Sequence, residues 1–225
     1  MKKILVVAAH PDDEVLGCGG TLARLVKKGC EIYTLILGEG ITSRDNKRDK
    51  KGSTSKIAGL KKQSKEANKI LGVKEVFFRD FPDNKFDTIP LLNIIKTIED
   101  VKNKLKIDTI FTHYEKDLNI DHQITYKAVL TATRPVYEEN VKEIYSFEVP
   151  SSTEWYYPLS FSPNVFFDIS NTIDIKIKAL MVYKSEIKKF PHPRSEKFTR
   201  LNANLWGAKA GMQNAEAFQI VRIIK

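Results

Sequence analysis

The most constraining feature of this sequence is an uninterrupted apolar run, Ile4 to Ala9, which ends abruptly in the charged stretch His10 to Glu14. The run is rich in branched residues, as is typical of a central parallel strand that is covered on both faces. Pro11 cannot donate a hydrogen bond to a neighbouring strand, so we expect the strand to stop there. Leu22 and Leu25 then fall at helical spacing. The sequence therefore predicts a buried strand that leads through a charged turn into a helix.

The turn carries three consecutive acidic residues, Asp12, Asp13 and Glu14. Acidic groups directly after a buried strand are unfavourable unless a cation or the N-terminus of the next helix compensates them. Imidazole and carboxylate groups are ordinary Zn²⁺ ligands, and a short turn can direct His10 and Asp13 onto one ion. Because adjacent residues in a turn point differently, Asp12 is then left free beside the metal. The alternative is a helix N-cap with an acidic first turn.

The rest of the 225-residue chain alternates between apolar segments at strand spacing and at helix spacing. We therefore predict an α/β fold, a Rossmann-like, mostly parallel sheet with helices on both faces, in a single domain spanning residues 1–225. The expected further strands are 31–37, 76–78, 109–112, 143–148 and 165–169, and the expected further helices lie near 57–71, 91–105, 121–129, 173–181 and 198–205. In such sheets the ligand site lies at the carboxyl ends of the strands.

The chain contains four histidines, His10, His113, His122 and His192. His113 directly follows a predicted strand, so it should share an edge of the sheet with His10. A catalytic zinc ion usually keeps three protein ligands and one open position, so a third ligand must join His10 and Asp13. His122, near a predicted helix start, is the first candidate, and His113 is the second.

The sequence AHPDDE after the first strand, the later pair Asp121-His122 and the order of the elements together resemble the PIG-L (LmbE-like) family. Its members are zinc-dependent N-deacetylases of N-acetylated amino sugars. The resemblance implies one Zn²⁺ per chain, with other divalent ions as alternatives, held by His10, Asp13 and His122. It also implies that Asp12 is the general base.

Other residues of this sequence match functional positions of the family less closely. Glu39 matches an acidic position after the family's second strand, and we expect it and Glu14 to lie just behind the ligands. Asp83 resembles a position that contacts the sugar, and His192 resembles a late histidine that stabilises the oxyanion.

The chain departs from the family where many members read H-P-D-H and this sequence reads Asn119-Ile120-Asp121-His122. The sequence therefore does not identify the residue that protonates the leaving amine, and the candidates are His113 and protonated Asp12. Asp121 is either a catalytic relay or a group that orients a histidine. We expect His113 and Asn119 to contribute to substrate binding.

Hydrolysis of an amide requires hydroxide at neutral pH, a stabilised tetrahedral oxyanion and a proton for the leaving nitrogen. The resemblance implies a metal-dependent hydrolase that meets these requirements and removes an acetyl group from the nitrogen of an amino sugar or sugar conjugate. Zinc-bound water would be the nucleophile, and Asp12 would accept its proton. A metal-dependent esterase or another amidase is the alternative with the same site.

Positive charge is concentrated in one window, Arg44 to Lys65, which contains nine basic and two acidic residues and so +7 of the net charge of +9. We predict that the start of this window is a loop that closes over the site, so that Arg44 contacts the phosphate of a nucleotide-linked sugar. The non-enzymatic alternative is a nucleic-acid- or phosphate-binding protein, but the window lacks aromatic residues for base stacking. It can also be a solvated surface.

Three further expectations concern class and location. Gly17, Gly19 and Gly20 suggest a nucleotide-binding loop, but G-x-G-x-x-G would need glycine where Leu22 stands. The two cysteines lack metal-type spacing, and we find no signal peptide or membrane-spanning run, so we expect a cytoplasmic protein with a small-molecule partner. The oligomeric state is not predicted.

Overall fold

The computed structural model of the protein describes residues 1–42 and 52–225. Within these two stretches the chain forms seven β-strands and six α-helices. The strands are β1 (Lys3–Ala8), β2 (Glu31–Gly38), β3 (Glu75–Phe81), β4 (Thr109–His113), β5 (Glu143–Phe147), β6 (Val165–Asp168) and β7 (Ala215–Ile223). The helices are α1 (Asp13–Lys27), α2 (Thr54–Leu71), α3 (Leu91–Leu105), α4 (Ile120–Ala132), α5 (Ile173–Leu180) and α6 (Glu196–Ala210).

All seven strands join one sheet in the order β3-β2-β1-β4-β5-β7-β6. The first five strands in this order, β3 to β5, run parallel to one another. Strand β7 runs antiparallel to both of its neighbours, β5 and β6. Val6 of β1 stands in register with Thr34 on one side and Phe111 on the other. The predicted α/β fold with a mostly parallel sheet is therefore confirmed, and β1 lies inside the sheet as its apolar sequence indicates.

The sheet is covered on both faces. Side chains of β1 that point to one face, such as Ile4 and Val6, pack with apolar residues of α1, α2 and α5. Those that point to the other face, such as Leu5 and Val7, pack with residues of α3 and α4. All four of these side chains are fully buried, so β1 contributes to the core on both faces of the sheet.

Strand β7 was absent from the sequence-based prediction. It lies between β5 and β6, and only its first four residues are buried, so it lacks the continuous apolar run that revealed β1. The remaining elements were predicted close to their true positions. The largest error in extent is α6, which begins two residues earlier and ends five residues later than expected. Strand β3 and helix α4 each end three residues later than expected, and α2 begins three residues earlier.

The glycines of α1 allow close packing. A Cβ atom at Gly20 would lie 2.9 Å from Cδ1 of Ile169, and one at Gly17 would overlap the ring of Phe147. This requirement explains glycine at these positions without a nucleotide, in agreement with the spacing argument against a dinucleotide-binding loop. Among the helices of residues 1–42 and 52–225, none is both long and apolar enough to cross a bilayer.

Candidate metal centre and active site

The predicted ligands meet at the carboxyl edge of the sheet, where β1, β3 and β4 all end. His10 follows β1, and Asp13 is the first residue of α1. Strand β4, which pairs directly with β1, leads into the loop before α4, whose first turn carries Asp121 and His122. Asp83 comes from the loop after β3. Residues more than a hundred positions apart in sequence therefore meet at one site. This agrees with the rule that open α/β sheets bind ligands at the carboxyl ends of their strands.

One carboxylate oxygen lies at the centre of this cluster. Oδ2 of Asp13 is 3.3 Å from Nε2 of His122, 3.5 Å from Nδ1 of His10 and 3.6 Å from Nε2 of His113. Oδ1 of Asp13 is buried and has no hydrogen-bond partner within the described part of the chain. His10, Asp13 and His122, which we call the ligand set, are all buried, and their donor atoms lie close enough together to hold one metal ion.

The electrostatics of the ligand set favour a cation. Burial alone would lower the pKa of His122, but the charges of Asp13 and Asp117 outweigh it and raise this pKa to about 9. Burial likewise opposes the charged form of His10, yet Asp121 and Asp13 raise its pKa well above 6.5. Burial would raise the pKa of Asp13, and the nearby histidines instead lower it well below 3.8. The donors of the ligand set and the unpartnered Asp13 oxygen therefore fit a divalent ion, whose charge would replace the two protons.

A second carboxylate fixes the orientation of His10. Its Nε2 lies 3.0 Å from Oδ2 of Asp121 and 3.2 Å from Oδ1 of Asp83. The other oxygen of Asp121 accepts the backbone N–H of Phe86 at 2.9 Å. This is the arrangement expected of a residue that orients a metal-binding histidine, one of the two roles considered for Asp121. His10, Asp83 and Asp121 are also close enough together to form a second group of possible ligands.

His122 has its own carboxylate partner, which the sequence reasoning missed. Nδ1 of His122 lies 3.1 Å from Oδ1 of Asp117, a fully buried residue of the loop before α4. The hydroxyl groups of Ser152 and Thr153 donate hydrogen bonds to Asp117. The only sequence signal was an acidic residue in the short linker between a strand end and the Asp-His pair.

His113 lies beneath the site. Its side chain is fully buried and stacks on the His122 ring, with the two centroids 3.9 Å apart. Its Nε2 accepts the backbone N–H of Ala9 at 2.8 Å. Burial and the charge of His122 lower the pKa of His113 well below 6.5, so the ring is neutral at pH 7. The structure thus places this predicted substrate contact behind the ligand set, away from the surface that a substrate reaches.

Asp12 stands beside the ligand set, in contact with an arginine that the sequence reasoning did not select. Its Oδ2 lies 2.9 Å from Nη1 of Arg194. Burial raises the pKa of Asp12 to about 8, even though the positive charge of Arg194 acts to lower it. Arg194 belongs to the segment FPHPRS, which drew attention only for His192. No local pattern indicated that its arginine reaches the first turn of the chain.

The two glutamates expected behind the ligands differ in what they contact. Oε2 of Glu14 accepts the backbone N–H of Asp12 at 3.0 Å, and its Oε1 accepts the hydroxyl of Tyr183 and the amide of Asn68. Burial raises the pKa of Glu14 to about 7. Glu39 is buried after β2 and accepts the hydroxyl of Thr42 at 2.8 Å.

A cavity of about 120 Å³ opens next to these groups and is lined mainly by polar side chains. Its walls include Asp12, Asp83, Asn119 and Arg194. Asn119 caps α4, because its Oδ1 accepts the backbone N–H of Asp121 at 2.8 Å, and its amide donates to Asn84. These contacts place Asp83 and Asn119 where a small polar ligand can reach them.

His192 is partly buried and lies two residues before Arg194, which forms part of the cavity wall. Its Nδ1 accepts the backbone N–H of Arg194 at 3.1 Å, and its ring meets that of Trp155 edge to face. Desolvation and the charge of Arg194 lower the pKa of His192, so a neutral ring would carry its proton on Nε2. Arg44, the remaining predicted substrate contact, falls outside the described residues.

The fold and this arrangement of buried histidines and aspartates define the chain as an α/β protein with a candidate metal site at the carboxyl edge of its sheet. A family model described as "PIG-L: GlcNAc-PI de-N-acetylase" matches residues 5–133. The chain therefore belongs to the PIG-L family, and the resemblance inferred from AHPDDE is confirmed. The matched region includes the whole ligand set.

Individual relatives agree with this assignment. The chain is 32% identical over 190 residues to "Uncharacterized deacetylase YaiS" of Escherichia coli, covering 82% of this chain and 91% of that protein. It is 26% identical to "Diacetylchitobiose deacetylase" of Thermococcus kodakarensis, over 98% of this chain and 84% of the other. The solved N,N'-diacetylchitobiose deacetylase of Pyrococcus horikoshii has the same fold, with a TM-score of 0.78, 23% identity and coverage of 98% and 84% of the two chains.

Proposed function

We propose that this protein is a zinc-dependent N-deacetylase that removes the acetyl group of an N-acetylated amino sugar or sugar conjugate. The observation that carries the proposal is the convergence of the ligand set on one point, with Asp12 directly beside it, in a chain of the PIG-L family. Relatives named for the deacetylation of N-acetylated sugars support the substrate class.

The ligand set would hold the ion. A zinc ion bound there would supply Lewis acidity toward the acetyl carbonyl and lower the pKa of a coordinated water. Asp121 would keep His10 in the tautomer that presents Nδ1, because Nε2–H donates to the Asp121 carboxylate. Asp117 would orient His122 in the same way through Nδ1, leaving Nε2 to face Asp13.

Asp12 would accept the proton of the attacking water, since it is the carboxylate that stands beside the ligand set without belonging to it. The same group then supplies the proton that the leaving amine requires. Asn119 is an amide and cannot act as an acid, and His113 is buried with Nε2 already accepting a hydrogen bond. Of the two candidates left open by the sequence, the contacts therefore favour Asp12, whose carboxyl group lines the cavity beside the ligand set.

His192 would stabilise the oxyanion. A neutral imidazole whose Nδ1 accepts a backbone N–H presents Nε2–H as a donor, which is what a developing negative charge on the acetyl oxygen requires. Asp83 and Asn119, in the cavity wall, would bind hydroxyl groups of the sugar. A phosphate contact by Arg44 stays a prediction, because it depends on residues that the structure does not describe.

The test is acetate release, measured over a panel of free, phosphorylated and nucleotide-linked N-acetyl sugars with matched O-acetyl sugars. Activity on the N-acetyl compounds that chelation abolishes and zinc restores is the expected result. Release from the O-acetyl sugars alone would identify the esterase alternative. Absence of release from every compound, with the metal bound, would refute the proposal.

A further inference from the structure

Arg194 is the residue that connects the C-terminal part of the chain to the site. Its Nη1 lies 2.9 Å from Oδ2 of Asp12, and both side chains line the same cavity. The Asp12 side chain is 2% exposed and the Arg194 side chain 23% exposed, so this ion pair is largely withdrawn from water. Solvent and salt screen a charge pair in such surroundings less than they screen one on the surface.

The guanidinium group is itself held from several directions. Its Nε donates to Oγ of Ser151 at 2.8 Å, and Nη1 also lies 3.4 Å from Oε2 of Glu186. The backbone N–H of Arg194 donates to His192. Because a planar guanidinium anchored at two of its nitrogens cannot rotate freely, Arg194 presents a fixed donor to Asp12.

Asp12 adopts a conformation that depends on such a partner. It is the N-cap residue of α1, a position where an aspartate normally turns its carboxylate toward the free N–H groups of the first turn. The Asp12 side chain makes no capping hydrogen bond, and its backbone has φ 102°. Instead its backbone N–H donates to Glu14, and one carboxylate oxygen contacts Arg194. The carboxylate therefore contacts the arginine and does not cap the helix.

We infer that Arg194 is a positioning residue that holds the Asp12 carboxylate in place beside the ligand set through its contact with Oδ2. Ser151 and Glu186 keep the guanidinium in place for this purpose. The inference rests on the proposed function, because it assigns Arg194 a role through the general base. It predicts that the loss of Arg194 impairs turnover while the metal and the substrate still bind.

The experiment compares Arg194→Ala and Arg194→Lys with the wild type and with Arg200→Ala as a matched control. Arg200 also contacts two carboxylates, those of Asp174 and Glu196, but on the exposed surface of α6. We expect Arg194→Ala to lower kcat by about 10²-fold, the order expected when a reacting group is misplaced. KM and zinc content should stay at wild-type values, and Arg194→Lys should lose less. Added guanidine hydrochloride at low concentration should restore part of kcat in Arg194→Ala alone.

Three results would overturn the inference. A rise in KM with an unchanged kcat would show that Arg194 binds the substrate. Loss of zinc in both variants would show a general structural role, and wild-type kinetics in both would show no role.

A second measurement does not depend on catalysis. Melting temperatures of Asp12→Ala, Arg194→Ala and the double variant form a cycle, in which contact between the two residues predicts non-additive shifts. Additive shifts would refute the contact. If the wild type releases no acetate from any compound, the proposed function fails, and this cycle alone decides whether Arg194 holds Asp12.

Discussion

Replacement of Asp121 by asparagine separates the two roles considered for this residue. Asp121 is fully buried, and each of its oxygens accepts one hydrogen bond, from Nε2 of His10 at 3.0 Å and from the N–H of Phe86 at 2.9 Å. Asparagine offers a single acceptor oxygen. In either orientation of the amide, its NH₂ group must face a donor, so one of the two bonds is lost.

The size of the effect follows from which bond is lost. The backbone N–H of Phe86 has a fixed position, so the amide oxygen should stay with it and its NH₂ group should face the His10 ring. His10 then loses the carboxylate that selects its tautomer and orientation. Loss of such a partner weakens metal binding by about 10- to 100-fold, or roughly 1.4 to 2.7 kcal/mol. An unsatisfied buried group should also lower the free energy of unfolding by about 1–3 kcal/mol.

Zinc affinity is measured by competition with a chromogenic chelator. Asp117→Asn, which removes the partner of His122, should show a loss of similar size, and Asp174→Asn, at a side chain that is 82% exposed, should show none. Wild-type zinc affinity in Asp121→Asn, together with a large loss of turnover, would refute the orienting role and support a catalytic relay.

Further predictions concern the metal, the base, the oxyanion and the charged window. Alanine at any residue of the ligand set should lower the zinc content measured by mass spectrometry. His122 has a pKa of about 9 without metal, so its proton must leave when zinc binds. Zinc affinity should therefore rise with pH up to about 9, and calorimetry should detect the released proton. A zinc affinity that does not change with pH would contradict this prediction. Asp12→Asn should keep zinc but lose turnover by at least ~10²-fold, and loss of zinc instead would exchange the roles of the two aspartates. His192→Ala should reduce kcat by ~10²-fold with zinc retained, whereas an unchanged rate would leave FPHPRS a surface turn. Raised KM for a nucleotide-linked sugar but not a free one is expected on alanine substitution of Arg48, Lys50 and Lys51.

The part of the site that sequence could predict is the part built from local geometry. His10 and Asp13 are three residues apart in one turn, so their convergence follows from the strand, the proline and the helix start. His122 could be added because consecutive parallel strands end at one edge of the sheet. The alternation of strands and helices is enough to predict a parallel sheet, and in such a sheet the loops that follow the strands share one edge.

Asp117 and Arg194 could not be found this way. Their roles depend on where the loop before α4 and the segment between α5 and α6 lie in space, and no local pattern of residues determines either position. Nothing in FPHPRS distinguishes an arginine that contacts Asp12 from one in solvent. Strand β7 itself escaped prediction because half of it is only partly buried.

The left-handed backbone conformation of Asp12 bears on which residues relatives of this chain can have at the same position. A residue other than glycine at φ 102° is strained, typically by about 1–3 kcal/mol, and the surrounding contacts must maintain it. Glycine would adopt this conformation without strain, so selection for a more stable fold alone would favour glycine here. Aspartate at this strained position is therefore explained by a role of its carboxylate group, which the proposed function assigns to proton transfer. A relative with the same turn but glycine at this position would be expected to bind metal as a non-catalytic paralogue.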